Sequence, residues 1–486
     1  MKKKFLVFLA FSLILSQALF ANGQNEKQTA DEDLYEILWY NIGTPQKDTE
    51  KVFEELSKYT AEKIGATVKM VQFDWGEYSD RMKVITASGE PYDIAFTCSW
   101  ANNYDVNVER GAFLPLDDLL KTHGQGTLDV INPSFFKGIT INNSVYAIPA
   151  NKELGWWEVW LFNEEYVNKY NFDISEVKSI QDLAPMLEIV KAGESADFTP
   201  IMGDSQFGID TPEYAYVIGP GTPFVVDFDN TDYKVKNIYE TPEMMDNLIT
   251  IHDYYTKGYM RKDIATLNNT EELRKSKKWF VTKSHWQPYA ENLIGKSWDT
   301  PLVYSSSYIP YADNSSTQGS MQAISVTSGN PEKSMAFLNL MNTDPYVRNL
   351  VGFGIEGTHW EKKGENVIAT LEDSKAYQVP GFTLQNLLIT HLFEDDPADK
   401  WEKFQEFNDS CRPSPVLGFQ FDRTSVKTEL AVLANIFEEF KPFMQTGTVD
   451  PEEYVAKYLK RVDEAGGAKV QAEIQNQLNA WLATQK

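Results

Sequence analysis

Trp39 with Tyr40, Trp100, the pair Trp156 and Trp157, and Trp286 are flat aromatic residues that stand where the hydrophobic pattern of this chain breaks into loops or crosses between regions. Beside them lie Ser99, Asn151, Glu153 and Gln287, which offer hydroxyl, amide and carboxylate groups. Together these residue types suit noncovalent recognition of a small hydrophilic ligand. A flat ring stacks on the apolar face of a sugar, and a buried hydroxyl-rich ligand must exchange its water hydrogen bonds for protein groups placed to meet it. These residues form the candidate ligand-binding set. Each has an ordinary competing role: tryptophan is most often a core or hinge-packing residue, and a polar residue near a turn most often serves the loop itself.

Covalent chemistry has no comparable constellation. The five histidines (His123, His252, His285, His359, His391) include no pair at metal-ligand spacing. A Gly-rich phosphate loop, a nucleophile elbow and a dinucleotide fingerprint are all missing from the sequence. No catalytic residue, metal or cofactor is therefore assigned, and the protein is expected not to be an enzyme. With 70 Asp and Glu residues, a carboxylate pair can be drawn around any glycosidic bond, so that pattern carries no specificity. A secreted glycoside hydrolase stays open as the alternative, because 12 Trp and 24 Tyr serve an enzyme acting on sugars as well as a binder.

The opening residues read as an export signal: Lys2, Lys3 and Lys4, then the apolar run from Phe5 to Leu15, then small residues. That run is shorter than the roughly 20 residues a spanning helix needs. Cleavage is expected after Ser16-Gln17-Ala18 or after Leu19-Phe20-Ala21, giving a signal peptide over 1–21. The only cysteines, Cys98 and Cys411, lie far from either cut, so a lipid anchor is not expected, and the mature chain is placed in a periplasm. Those two cysteines are compatible with one bridge or with two separate buried thiols. A formal net charge of −25, with no longer basic run outside the signal than Arg274-Lys275-Ser276-Lys277-Lys278, argues against nucleic acid as a partner.

Positioning elements follow from periodicity. Tyr35–Tyr40 and Thr67–Phe73 read as strands flanking a helix over Asp48–Ile64, and a second helix over Tyr78–Ala87 leads to a strand at Tyr92–Thr97. Such βαβ alternation predicts a mainly parallel sheet with its ligand beyond the carboxyl ends of the strands. A crossing near residue 150 leads to a second, mixed region, with a strand at Trp156–Phe162 and helices at Ser179–Ala192, Thr241–Lys257 and Thr270–Lys277. Met321–Val326 reads as a further strand, followed by a helix through Met341. The tail from Lys427 to Trp481 is almost wholly helical, with Asp450-Pro451-Glu452-Glu453 as a capped helix start. The length exceeds what one core organises, so two α/β lobes are expected: 33–149 plus 320–375, and 150–319 plus 376–486.

Several segments together resemble the bacterial extracellular solute-binding proteins called family 1, in particular the larger members with a distinctive C-terminal region. They are Ile85–Ile94, Gly111–Leu120, Asn330–Met335 and Gly352–Trp360, with the tail segments Gly418–Asp422, Val426–Leu430 and Thr446–Pro451. The resemblance implies a type II periplasmic-binding fold, in which two α/β lobes joined by a hinge with multiple chain crossings close on a ligand. It also implies an ABC permease and ATPase complex as partners, for a chain acting as a monomer. A sugar or oligosaccharide is the expected cargo, with a peptide or polyol as the variant within the same fold.

Overall fold

The structure is a computed structural model that describes residues 34–209, 211–219 and 221–485. The expected signal peptide lies outside the described residues. From Tyr35 onward the chain builds two α/β lobes, each with its own sheet.

In the first lobe the strand order is Ala66–Phe73, Tyr35–Ile42, Ile94–Thr97, Met321–Ile324, Ala147–Pro149. The first three strands are parallel, while Met321–Ile324 runs antiparallel to both of its neighbours. Helix Thr49–Ile64 forms because Val52, Phe53 and Leu56 fall on one stripe, and it ends at Gly65 in the left-handed conformation glycine favours. Helices Pro331–Thr343 and Pro345–Phe353 cover the same face, and both begin with Pro one residue after a side-chain cap, Asn330 and Asp344. Tyr377, Val379 and Leu384 are buried in this core with Ile37 and Trp39.

The second lobe's sheet has the order Leu302–Ser306, Glu158–Asn163, Trp279–His285, Thr199–Ile201, with only the last pair parallel. Helix Pro242–Thr256 serves two cores at once. Its Ile251 and Tyr254 pack with the sheet, and its Met244 and Leu248 pack with the C-terminal helices Lys427–Gln445, Pro451–Glu464 and Gly467–Thr484. The expected helix start at Asp450 is present: its carboxylate accepts the Glu453 N–H at 3.0 Å, with Pro451 in the first turn.

The chain passes between the sheets three times, and these passages pack side by side. Trp156 and Tyr311 exchange backbone hydrogen bonds at 2.8 and 3.1 Å, and Tyr311–Ala312 pairs in parallel with Arg412–Pro413. Spacing there is close enough to require glycine at 155, where a Cβ would lie 2.5 Å from Cys411 Sγ and 2.9 Å from the Tyr311 carbonyl. The strand expected from Trp156 starts instead at Glu158, because Trp156 is engaged in this crossing.

Cys98 and Cys411 are two separate buried thiols. Burial pushes both up to about 12, so neither supplies thiolate at neutral pH. A thiol-specific disulfide reagent at pH 8 is expected to label neither in the folded protein and both after denaturation, as read by intact mass; rapid labelling of the native protein would contradict the burial.

Candidate ligand-binding site

Parallel strands bring the loops after Ile42, Phe73 and Thr97 to one edge of the first sheet, and two exposed indoles emerge from them. Trp75 follows strand Ala66–Phe73 and is 42% exposed; Trp100 follows Ile94–Thr97 and is 52% exposed. A third ring, Phe382, joins them at 39% exposure on the short helical turn Gly381–Thr383. Ring centroids are 6.3 Å apart for Trp75 and Trp100 and 6.0 Å for Trp75 and Phe382, with both pairs inclined by 23°. Water-facing clusters of large rings are unfavourable unless a partner covers them. This one forms an aromatic platform.

Hydrogen bonds from neighbouring backbone fix the platform. The Trp100 indole N–H donates to the Gly319 carbonyl at 2.9 Å. Asp74 accepts both the Trp75 N–H and the Thr44 hydroxyl at 2.9 Å, tying two of the loops together. Around Phe382, Ser320 donates to its carbonyl at 2.6 Å, and Arg348 donates to the carbonyl of Gly381 at 2.9 Å.

Ser99 is exposed beside Trp100, with its N–H on the Gln318 carbonyl at 3.0 Å. It opens into a cavity of about 340 Å³ that also exposes Asn103, Asp105, Asn314 and Arg423. Burial holds the Asp105 carboxyl above its ordinary range, with Arg423 pulling the other way. Glu153 is ion-paired with Lys152, whose ammonium lies 3.7 Å from where a Cβ on Gly319 would stand. Ser99, Trp100 and Glu153 are therefore drawn together around Gly319.

The second lobe presents a polar edge at the carboxyl ends of Trp279–His285 and Thr199–Ile201. Glu158, Asp204, Gln206, Lys283 and His285 line a cavity of about 380 Å³ there, with His285 Nδ1 3.5 Å from Glu158 Oε1. Trp156 stands against it, its ring edge-on to His285 at 5.0 Å. The Trp156 indole donates to Asp313 Oδ1 at 3.0 Å and Ser315 Oγ at 3.1 Å, both on the chain's return toward the first lobe.

Other candidates from the sequence lie elsewhere. Trp39 is 0% exposed: it packs against Phe53 and Phe337 and donates to Gln322 Oε1 at 2.9 Å, so it is a core residue. It sits mid-strand, and its alternate neighbour Tyr40 is buried on the opposite face, stacked on Phe73 at 5.4 Å. Asn151 is a buried brace at the crossing, donating to Val130 O at 3.2 Å and accepting the Leu387 N–H at 2.9 Å. Trp157 stacks on Phe407 and lines a different cavity, of about 710 Å³, with Tyr289 and Tyr304. Trp286 is buried against Tyr304, and the half-buried Gln287 accepts the Ala290 N–H in a turn. Trp75 and Phe382 were not among the candidates. Trp75 carries the same signal as Trp100, an indole just past a strand, whereas Phe382 has no local signal.

Two lobes, three crossings and loop-borne aromatics at the strand ends define a two-lobed α/β binding protein. The sequence pattern of the bacterial extracellular solute-binding proteins matches residues 56–354, and that of a domain of unknown function, DUF3502, matches 415–483. The chain belongs to the bacterial extracellular solute-binding protein family. It is 33% identical, over 100% of its length and 99% of the relative's, to a carbohydrate ABC transporter substrate-binding protein of Streptococcus pneumoniae. The crystal structure of the N-glycan transport solute-binding protein NgtS from the same organism has a TM-score of 0.83 at 32% identity, covering 93% of this chain and 100% of that one. NgtS in complex with Man5GlcNAc has a TM-score of 0.67, covering 93% and 99%. A solute-binding protein of Bifidobacterium longum, 15% identical with a TM-score of 0.63 over 92% and 98%, shares the fold.

Proposed function

We propose that this chain captures an oligosaccharide between its two lobes and delivers it, unaltered, to the permease of an ATP-driven importer, acting as a monomer outside the cytoplasm. The observation that carries this reading is the exposed platform of Trp75, Trp100 and Phe382 at the strand ends of the first lobe. Stacked rings of this size take the apolar faces of successive sugar units, while the second lobe's edge of Glu158, Asp204, Gln206 and His285 supplies partners for hydroxyls. The names of the similar proteins, a carbohydrate transporter component and an N-glycan binder, support the same cargo class. The sites we assign are Trp75, Ser99, Trp100 and Phe382 from the first lobe, Glu153 and Trp156 on the crossing, and Glu158 and His285 at the edge of the second lobe.

Capture works through a shift between open and closed forms. A ligand moves that equilibrium only by the excess of its affinity for the closed form, so it must touch both faces. This chain matches one structure of NgtS with a TM-score of 0.83 and its complexes with Man1GlcNAc and Man5GlcNAc with 0.70 and 0.67, a difference that supports lobe movement here. Among the described residues no helix is long and apolar enough to cross a membrane.

The test is isothermal titration of the mature protein, unfolded and refolded to strip bound ligand, with Man5GlcNAc, unrelated oligosaccharides, peptides and polyols. Stoichiometric binding of one sugar class, with the sugar recovered intact, is the expected result. Cleavage of the sugar would establish the hydrolase instead, and binding of peptides alone would overturn the carbohydrate cargo.

A further inference from the structure

Arg348 is the least expected side chain in the first lobe. Carried by helix Pro345–Phe353, it is 1% exposed, and no carboxylate among the described residues pairs with it. One hydrogen bond holds it, from Nη2 to the Gly381 carbonyl at 2.9 Å, and its Nε has no partner. Burial pulls the guanidinium down to about 9, which still leaves it charged at neutral pH. Burying a charge without a counter-charge is unfavourable to folding.

The guanidinium lines a cavity of about 330 Å³ whose walls are otherwise mostly apolar: Phe353, Trp360, Ile368, Tyr377 and Phe393. Among the described residues no acidic one lines it. The neighbouring acid, Asp48, is engaged by His359 at 3.3 Å, and His359 cannot turn to the cavity as a second donor while its Nδ1 accepts the Ile355 N–H at 2.9 Å. The Tyr377 hydroxyl is spent on the Val351 carbonyl. His359 and Trp360 belong to the Gly352–Trp360 segment, which the sugar platform does not use.

We propose that this cavity is a second binding site, for a small organic carboxylate whose anionic end meets Arg348 and whose apolar body lies against Trp360, Ile368 and Tyr377. A planar cation with a free N–H is the group that recognises a carboxylate, and an apolar chamber of this volume holds a short aliphatic or aromatic body rather than a sugar. The cavity shares none of the three platform rings and meets the platform only through the Arg348 bond to the Gly381 carbonyl.

The experiment uses the mature full chain and four probes: benzoate and hexanoate, with benzamide and hexanamide as neutral isosteres. Calorimetry is expected to show at least one carboxylate binding about tenfold or more tightly than its amide, since charge supplies the difference. Arg348→Met is expected to abolish that binding while melting no lower than the parent, because it removes an uncompensated buried charge. Ser374→Phe, a half-buried position on the lining, is the second variant; it leaves Arg348 intact and is expected to weaken binding by obstructing the chamber. No binding of either carboxylate, equal binding of acid and amide, or binding retained in Arg348→Met would overturn the proposal, as would undiminished binding in Ser374→Phe.

Discussion

Replacing Trp100 by alanine is expected to weaken oligosaccharide binding by about 10- to 100-fold, because a centrally placed indole that a ligand covers is worth roughly 1.4–2.8 kcal/mol. The melting temperature of the free protein should change by no more than about 2 °C, since an exposed side chain contributes little to the fold. Its 52% exposure makes this separation possible: about half of the ring faces water in the free protein, and that stacking surface awaits a ligand. Trp75→Ala should behave in the same way, as the ring beside it in the platform. Trp39→Ala is the informative contrast. That ring is enclosed by Phe53, Phe337 and the Gln322 amide, so its loss leaves a core cavity costing on the order of 3–5 kcal/mol without removing a ligand contact. Calorimetry and thermal melts on the three variants distinguish the roles; equal sugar affinity in Trp100→Ala would dismantle the proposed platform.

Gly447→Ala is expected to be among the most destabilising single-methyl changes in the chain. Gly447 has φ +71°, and a Cβ there would lie 2.4 Å from the Ile251 carbonyl oxygen and 2.8 Å from the His252 nitrogen. Both obstacles are backbone in the interior of helix Pro242–Thr256, so no rotamer change relieves them. The Gly447 carbonyl is also hydrogen-bonded to His252 Nδ1 at 2.7 Å, which fixes the approach. Left-handed strain and overpacking together cost on the order of 4 kcal/mol. The penalty falls on the joint between the C-terminal helices and the second lobe. Limited proteolysis should therefore show the C-terminal region released first, and a variant as stable and as resistant as the parent would contradict this geometry.

Much of the first lobe was legible because its elements are locally determined. The helix expected over Asp48–Ile64 is found at Thr49–Ile64, and the strand expected over Thr67–Phe73 at Ala66–Phe73, each bounded by its own periodicity and by Gly65 between them. Strand ends also located Trp100. The same rule, read loosely, admitted Trp39 and Tyr40, which lie inside a strand that runs on to Ile42 and whose side chains alternate into two cores. Phe382 was beyond reach for a different reason. It meets Trp75 through a contact spanning some three hundred residues, made by a turn whose neighbours carry no aromatic pattern. Sequence spacing likewise left the two cysteines open between a bridge and separate thiols, a matter decided by where the third crossing brings Cys411, against Gly155 rather than near Cys98.

Strand Met321–Ile324 lies inside the first sheet, with Met321 opposite Thr97 on one side and Pro149 on the other. The ribosome therefore releases Ala147–Pro149 long before the strand that must separate it from Ile94–Thr97 exists. At about 5–20 residues per second, residue 324 is reached only after roughly 15–65 s of synthesis. Throughout that interval the first sheet lacks an interior member and cannot close its hydrogen-bond ladder. Folding of the first lobe therefore waits on a strand that lies far along the chain from the three parallel ones it completes.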